Sequence, residues 1–158
     1  TLNCYEDIVD SLSGTVDVFP CRKLTAIPNI DASEFPDLVP IISLVASISN
    51  GTTVIYNAER LRYKESDRLA STCHVLKTLG ANITETEDKL ILVGTKALHG
   101  AYEGDGYGDH RIIMMLAASS LVTAGTVKIH EASAASKSFP NFFEVLNKLG
   151  LDGNIELA

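Results

Sequence analysis

The chain has 158 residues, 46% of them hydrophobic and 21% charged, which is the make-up of one globular domain with its own core and excludes a disordered segment. Its net charge of −7 excludes a broad basic surface for tracking nucleic acid, although a small anionic substrate needs only a few cations converging locally. The three cysteines, Cys4, Cys21 and Cys73, are odd in number and lack metal-ligand spacing, so we expect a reduced, cytoplasmic protein with no metal site and with Cys73 in the core. The longest apolar helix candidate, Ile112 to Val122, is interrupted by Ser119 and Ser120 and is too short to span a bilayer. No signal peptide opens the chain, and the start at Thr1 without Met suggests a piece of something longer.

In chain order, residues 1–30 hold short apolar runs such as Gly14 to Phe19 between Gly and Pro, and read as one or two strands with loops. Pro36-Asp37 opens a helix from about Leu38 to Ser49, with Asp37 placed to cap it, Pro40 tolerated in the first turn and Asn50-Gly51 ending it. Thr52 to Tyr56 is β-branched and aromatic, hence a strand. Leu69, Cys73, Leu76 and Leu79 recur at helical spacing, so the spacing predicts a helix over 64–79 that Gly80 terminates. Asn82 to Thr86 and Lys89 to Val93, around Glu87-Asp88, read as a hairpin, and Gly94 and Gly100 bound a loop.

The second half repeats this order. Gly108-Asp109 opens an apolar helix from about His110 to Thr123, Ala124-Gly125 closes it, Thr126 to His130 is a strand, and Lys137-Ser138-Phe139-Pro140 opens a helix ending at Leu149-Gly150. The period of roughly 70 residues is too long for a solenoid unit and suggests a duplicated βαβαββ unit in an α/β (α+β) fold, with copies over about 31–100 and 101–158. Asp37 and Lys64 would then be the counterparts of Asp109 and Lys137.

Polar chemistry concentrates in Lys64-Glu65-Ser66-Asp67-Arg68, Asp109-His110-Arg111 and Lys137-Ser138, each at the opening of a predicted helix. On a helix, Lys64 and Arg68, and Glu65 and Arg68, lie on neighbouring turns, and the unpaired N–H groups of a helix start favour an anion. If the helix starts gather, two lysines and two arginines face one cleft suited to phosphate and carboxylate, and Glu65 among those cations is the candidate acid–base group. Each residue also has a plain structural reading: Asp37, Asp109 and Ser138 as caps, His110 as a helix-start residue, Glu65 and Arg68 as a surface pair, Lys137 as a solvated charge. Independent caps need not all come with Lys or Arg beside them, and that joint pattern favours a site.

In their order and spacing these three motifs resemble the C-terminal part of enolpyruvylshikimate-phosphate synthase, the shikimate-pathway enzyme inhibited by glyphosate, over about Asp31 to Gly150. The resemblance implies an inverse-barrel-type domain of repeated βαβαββ units, of which this chain would be a partial C-terminal copy with the hinge-side unit missing or only partly represented by residues 1–30. It implies a partner N-terminal domain absent from this chain, a monomeric full-length enzyme, and transfer of enolpyruvyl from phosphoenolpyruvate to shikimate 3-phosphate with no cofactor. Matched by position, Asp37 would bind the shikimate hydroxyls and take the attacking proton, and Lys64 would reach the same region. Glu65 would handle the proton at the pyruvyl methylene, while Arg68, Arg111 and Lys137 would hold phosphoenolpyruvate. Asp109 and His110 would support them, and Arg60 stands where the family often has a neutral polar residue. The sister transferase acting on UDP-N-acetylglucosamine lacks the Lys-Glu-Ser-Asp-Arg run. A non-catalytic anion-binding module and an RNA-end-processing relative are the other readings, the last opposed by the acidic charge.

Overall fold

The computed structural model describes residues 2–4, 16–18 and 23–148. Strands β1 (Leu2–Cys4) and β2 (Val16–Val18) pair antiparallel, with Leu2 opposite Val18. Strand β2 falls within the run expected to be extended, whereas the remaining expectations for residues 1–22, and the end of the last helix at Leu149-Gly150, lie outside the described residues.

From Lys23 onward the chain first builds a four-stranded sheet. Strand β3 (Asn29–Asp31), helix α1 (Val39–Ser47), strand β4 (Thr52–Tyr56), helix α2 (Arg68–Thr78), strand β5 (Asn82–Glu85) and strand β6 (Leu90–Val93) follow one another, and the spatial order is β3-β4-β6-β5. Strands β3 and β4 are parallel, with Asn29 opposite Val54, and the two pairs involving β6 are antiparallel. The expected hairpin is present, turning at Glu87-Asp88 with Thr86 N–H bonded to Lys89 C=O at 2.9 Å. Alternation places Thr53, Ile55, Ile83, Leu90 and Leu92 inward, where they meet the stripe Leu69, Cys73, Leu76 and Leu79 of α2, every one of them buried.

Helix starts differ from the expected ones for local reasons. Residues Glu59–Tyr63 form a 3₁₀ turn and α2 begins only at Arg68, because the Asp67 carboxylate accepts the Ala70 N–H at 3.0 Å and so caps the helix there. Lys64, Glu65 and Ser66 therefore precede the helix. At its other end Gly80 takes φ +89°, with the Gly80 and Ala81 N–H groups bonded to Lys77 and Leu76 C=O, a Schellman closure. Helix α1 is preceded by a 3₁₀ turn at Pro36–Leu38 and has Leu38 at its cap with no side-chain bond, so Asp37 does not cap it. The hydroxyls of Ser43 and Ser47 return to helix carbonyls at 2.7 Å each, which satisfies them inside the core.

The second segment runs through β7 (Tyr102–Asp105), α3 (His110–Ser119), β8 (Val127–His130), a 3₁₀ helix (Ala132–Lys137) and α4 (Phe142–Lys148). Strand β7, parallel to β8 with Tyr102 opposite Val127, was not expected: Glu103, Gly104 and Asp105 carry no strand pattern, and only Tyr102 is buried. Helix α3 stops at Ser119, short of the predicted Thr123, because Thr123 already pairs with Leu98 in an extended bridge. Helix α4 starts at Phe142, not at Lys137, since Pro140 disfavours a helical Phe139. Helices α1, α2 and α3 pack on one another and join the two segments around Leu44, Leu69, Ile112 and Leu116. Among the described residues no helix is long and apolar enough to cross a membrane.

Leu76 is fully buried at the centre of this packing. Leu76→Ala should lower unfolding free energy by about 2–5 kcal/mol in urea titrations, the usual cost of a large-to-small change in a core that relaxes only partly.

Candidate active site

Each polar motif follows the carboxyl end of a parallel strand: Asp37 lies after β3, Lys64 to Arg68 after β4, Asp109 to Arg111 after β7, and Lys137 after β8. Connections leaving parallel strands at their carboxyl ends emerge on one side, which is where open α/β sheets present binding residues. Local bonds hold these connections. Asp31 accepts from the Ser33 N–H at 3.0 Å and from the Asn57 amide at 3.1 Å, joining the segments after β3 and β4. Arg62 donates to Glu87 C=O at 2.9 Å and Thr86 C=O at 2.6 Å and pairs with Asp67 at 2.9 Å, anchoring the segment before α2 to the hairpin. After β7, Tyr107 and Gly108 both adopt positive φ, +60° and +63°, and Asp109 N–H closes the turn on Gly106 C=O at 3.0 Å. Gly106 is required there, since a Cβ would sit 2.1 Å from Ile113 Cγ1.

At the centre stands Arg68, only 1% exposed. Its Nε donates to Asp109 Oδ2 at 2.8 Å and its Nη2 to Asp109 Oδ1 at 3.2 Å, a bidentate pair with a carboxylate that is itself 0% exposed. Its Nη1 donates to Asp37 Oδ1 at 2.7 Å, and its Nη2 also pairs with Glu65 Oε2. The Asp109 carboxylate further accepts from Ser66 Oγ at 3.1 Å and from the Arg111 N–H at 2.9 Å, so it caps α3 as expected while fastening α2 to it. Burial alone would lower the Arg68 pKa, but the bonds and charges of Asp109, Asp37 and Glu65 outweigh it and raise the pKa.

Around this pair the structure gathers most of the sequence-derived candidates. Lys64 Nζ lies 3.5 Å from Asp37 Oδ1 and Arg111 Nη2 lies 3.6 Å from Asp37 Oδ2. His110 Nδ1 is 3.7 Å from Glu65 Oε1, beyond hydrogen-bond reach, and that nitrogen and Arg111 Nε are buried with no hydrogen-bond partner among the described residues. Lys137, exposed at the end of its 3₁₀ helix, donates to Gly108 C=O at 3.4 Å, which brings it to the turn before Asp109. Ser138 caps no helix by its side chain, and Arg60 is exposed with no ion pair among the described residues. Glu65 and Arg68 are paired, but with Glu65 ahead of the helix and Arg68 buried, so this is not the surface pair of the plain reading. Sequence reasoning left Ser66 and Asp67 without roles; Asp67, two residues before Leu69 at the head of the α2 stripe, was an available cap signal. No group of metal-ligating side chains occurs among the described residues.

Burial raises the Asp37 pKa, but the Arg68 hydrogen bond and the charges of Lys64, Arg68 and Arg111 prevail and hold it below the ordinary carboxylate range. A depressed folded-state pKa contributes stability that is present above the unfolded-state value and lost as pH falls through the folded-state one. Unfolding free energy should therefore fall on acidification below about pH 4, and Asp37→Asn should flatten that fall in denaturant titrations run at several pH values.

The family model for EPSP synthase (3-phosphoshikimate 1-carboxyvinyltransferase) matches residues 7–146. The chain is 47% identical over 121 residues to the 3-phosphoshikimate 1-carboxyvinyltransferase of Clostridium botulinum, covering 77% of this chain and 28% of that protein. It is 44% identical to the Clostridium acetobutylicum enzyme of that name (92% and 35% covered) and 46% identical to that of Clostridioides difficile (94% and 31%). Thus the chain spans about a third of the length of the curated relatives it matches. Among solved structures, EPSP synthase from Acinetobacter baumannii superposes with a TM-score of 0.69 at 30% identity, over 78% of this chain and 30% of that one. The enolpyruvyl transferase NikO from Streptomyces tendae has the same fold, with a TM-score of 0.72 at 20% identity over 89% and 32% of the two chains. A family match over most of the chain, seated on the same residues that form the charged site, leads to one conclusion: this chain belongs to the EPSP synthase family.

Proposed function

We propose that this chain is part of a cytoplasmic enzyme that transfers enolpyruvyl from phosphoenolpyruvate to the 5-hydroxyl of shikimate 3-phosphate with release of phosphate, and that it carries the phosphoenolpyruvate side of the site. The observation that carries the reading is the convergence of Lys64, Arg68, Arg111 and Lys137 with Asp37 and Glu65 at the carboxyl ends of the parallel strands. Arg111, Lys64 and Lys137 supply charge for the anionic groups of phosphoenolpyruvate, and Arg68 adds its Nη1. The hydroxyl adds to the substituted vinyl carbon while Asp37 accepts its proton and Glu65 delivers a proton to the methylene. In the second half Glu65 takes a methyl proton back, the vinyl bond re-forms and phosphate leaves. His110 lies beside Glu65 in a supporting role.

The domain reading forms part of the same proposal. One constant shift in residue number carries Asn29 onto Tyr102, Val54 onto Val127, the bridge Thr25–Asn50 onto Leu98–Thr123, and Lys64 onto Lys137. Those coincidences support duplicated βαβαββ units over about 31–100 and 101–158, the second described as far as α4. The same shift favours His110 over Asp109 as the counterpart of Asp37, in keeping with Asp109 capping its helix while Asp37 does not. The catalytic cleft closes between this domain and an N-terminal domain of the same monomeric enzyme, so the isolated chain binds anions weakly and turns nothing over.

Glu65→Gln in the complete enzyme should lower kcat by roughly 10²–10⁴-fold while leaving substrate binding near wild type, in steady-state assays. Arg111→Ala should weaken phosphoenolpyruvate far more than shikimate 3-phosphate when each is titrated separately; equal losses would remove Arg111 from the phosphoenolpyruvate side.

A further inference from the structure

Asp37 is not a helix cap: Leu38 holds that position before α1, and Asp37 lies within the preceding 3₁₀ turn. Its carboxylate is turned into the centre of three cations carried by two segments: Lys64 and Arg68 from the connection that leads into α2, and Arg111 in the first turn of α3. Oδ1 accepts from Arg68 Nη1 at 2.7 Å and lies 3.5 Å from Lys64 Nζ, and Oδ2 lies 3.6 Å from Arg111 Nη2. From the side of those cations, the arrangement is that of a bound carboxylate or phosphate.

We propose that Asp37 is an internal stand-in for the substrate anion: it fills the Lys64–Arg68–Arg111 cradle in the ligand-free protein, and an incoming anion displaces it. The inference rests on the reading that these cations hold phosphoenolpyruvate, and adds to it a contact that keeps the free site closed.

The geometry makes the exchange possible in one direction only. The Asp37 side chain is 48% exposed and can swing into water, whereas Arg68 is 1% exposed and stays tied to Asp109 and Glu65 when Asp37 leaves. Displacement opens Nη1 of Arg68 without freeing the residue, and replaces one anion by another so that the cations stay compensated. The displaced carboxylate loses three cations and gains a negative neighbour, with Glu65 the other acid facing the cradle and His110 behind it; each change makes Asp37 more basic. Arrival of the anion thus turns a paired carboxylate into the proton acceptor that the attacking hydroxyl requires.

Calorimetric titration of the chain with phosphoenolpyruvate and with inorganic phosphate tests this. Asp37→Asn keeps the shape and removes the charge, so it should bind phosphoenolpyruvate roughly three- to tenfold tighter than wild type. Glu87→Gln, which removes one negative charge at the hairpin tip, should stay within about twofold. Tightening for both probes assigns the cradle to the phosphate end of the substrate, and tightening for phosphoenolpyruvate alone assigns it to the carboxylate end; either supports the proposal. An Asp37→Asn affinity equal to or below wild type overturns it. Arg111→Ala separates the two readings: if it weakens binding while Asp37→Asn fails to tighten it, the stand-in is wrong and the anion site stands, and if it has no effect the site itself is wrong. Should the Asn variant not fold, the Asp37 carboxyl followed by ¹³C NMR in wild type decides the matter. Its pKa should rise on adding phosphoenolpyruvate, and an unchanged value overturns the proposal.

Discussion

The bidentate bond between Arg68 and Asp109 joins the first residue of α2 to the cap of α3, two helices from the two successive segments of the chain, and it does so where neither group reaches water. Taking two charges out of water costs several kcal/mol each, and such a pair holds only when the remaining donors and acceptors are satisfied. Here every nitrogen of Arg68 has an acceptor. Its Nη1 donates to Asp37 and its Nη2 also to Glu65, and Asp109 accepts from Ser66 Oγ and the Arg111 N–H. The pair therefore gives a defined geometry rather than a large net stabilisation, and every other charged group of the site is placed by reference to it.

Three carboxylates around one buried guanidinium would repel one another if the nearby lysine and second arginine were absent. Lys64 and Arg111 close that balance through Asp37, and Lys137 stands one turn away at Gly108. A chain with net charge −7 can thus gather cations at one place: the three carboxylates there are matched by Arg68, Lys64 and Arg111, Lys137 stands beside them, and the surplus acids lie elsewhere. The same arrangement also separates two aspartates that look alike in sequence, since Asp109 is fully buried while the Asp37 side chain is half exposed.

Much of this was legible beforehand, and for identifiable reasons. The stripe Leu69, Cys73, Leu76, Leu79 is a periodic signal, and periodicity survives folding because it is the core that creates it, while β4 and β6 were legible as β-branched, aromatic and apolar runs. The gathering of the polar motifs was inferable from their shared position after strands. Helix bounds departed from expectation wherever a local feature decided the outcome: Asp67 capping α2, Pro140 delaying α4, and the backbone bridge of Thr123 with Leu98 ending α3 early. Strand β7 had no pattern to read because its partner β8 and the turn at Gly106 to Asp109 hold it in place, not its own side chains. The depth of Arg68 was invisible too, since an arginine in a charged run reads as a surface residue until a buried Asp109 is known to face it.

A double-mutant cycle on Arg68→Met and Asp109→Asn, followed by urea unfolding, measures directly whether this pair organises the site. Each single change leaves the other group buried without its partner, so each should cost about 3–5 kcal/mol, while the double variant should be about 2–3 kcal/mol more stable than the sum of the two losses predicts. Two small, additive losses would contradict the account, because they would mean that α2 and α3 hold their places without the bond on which the site is built.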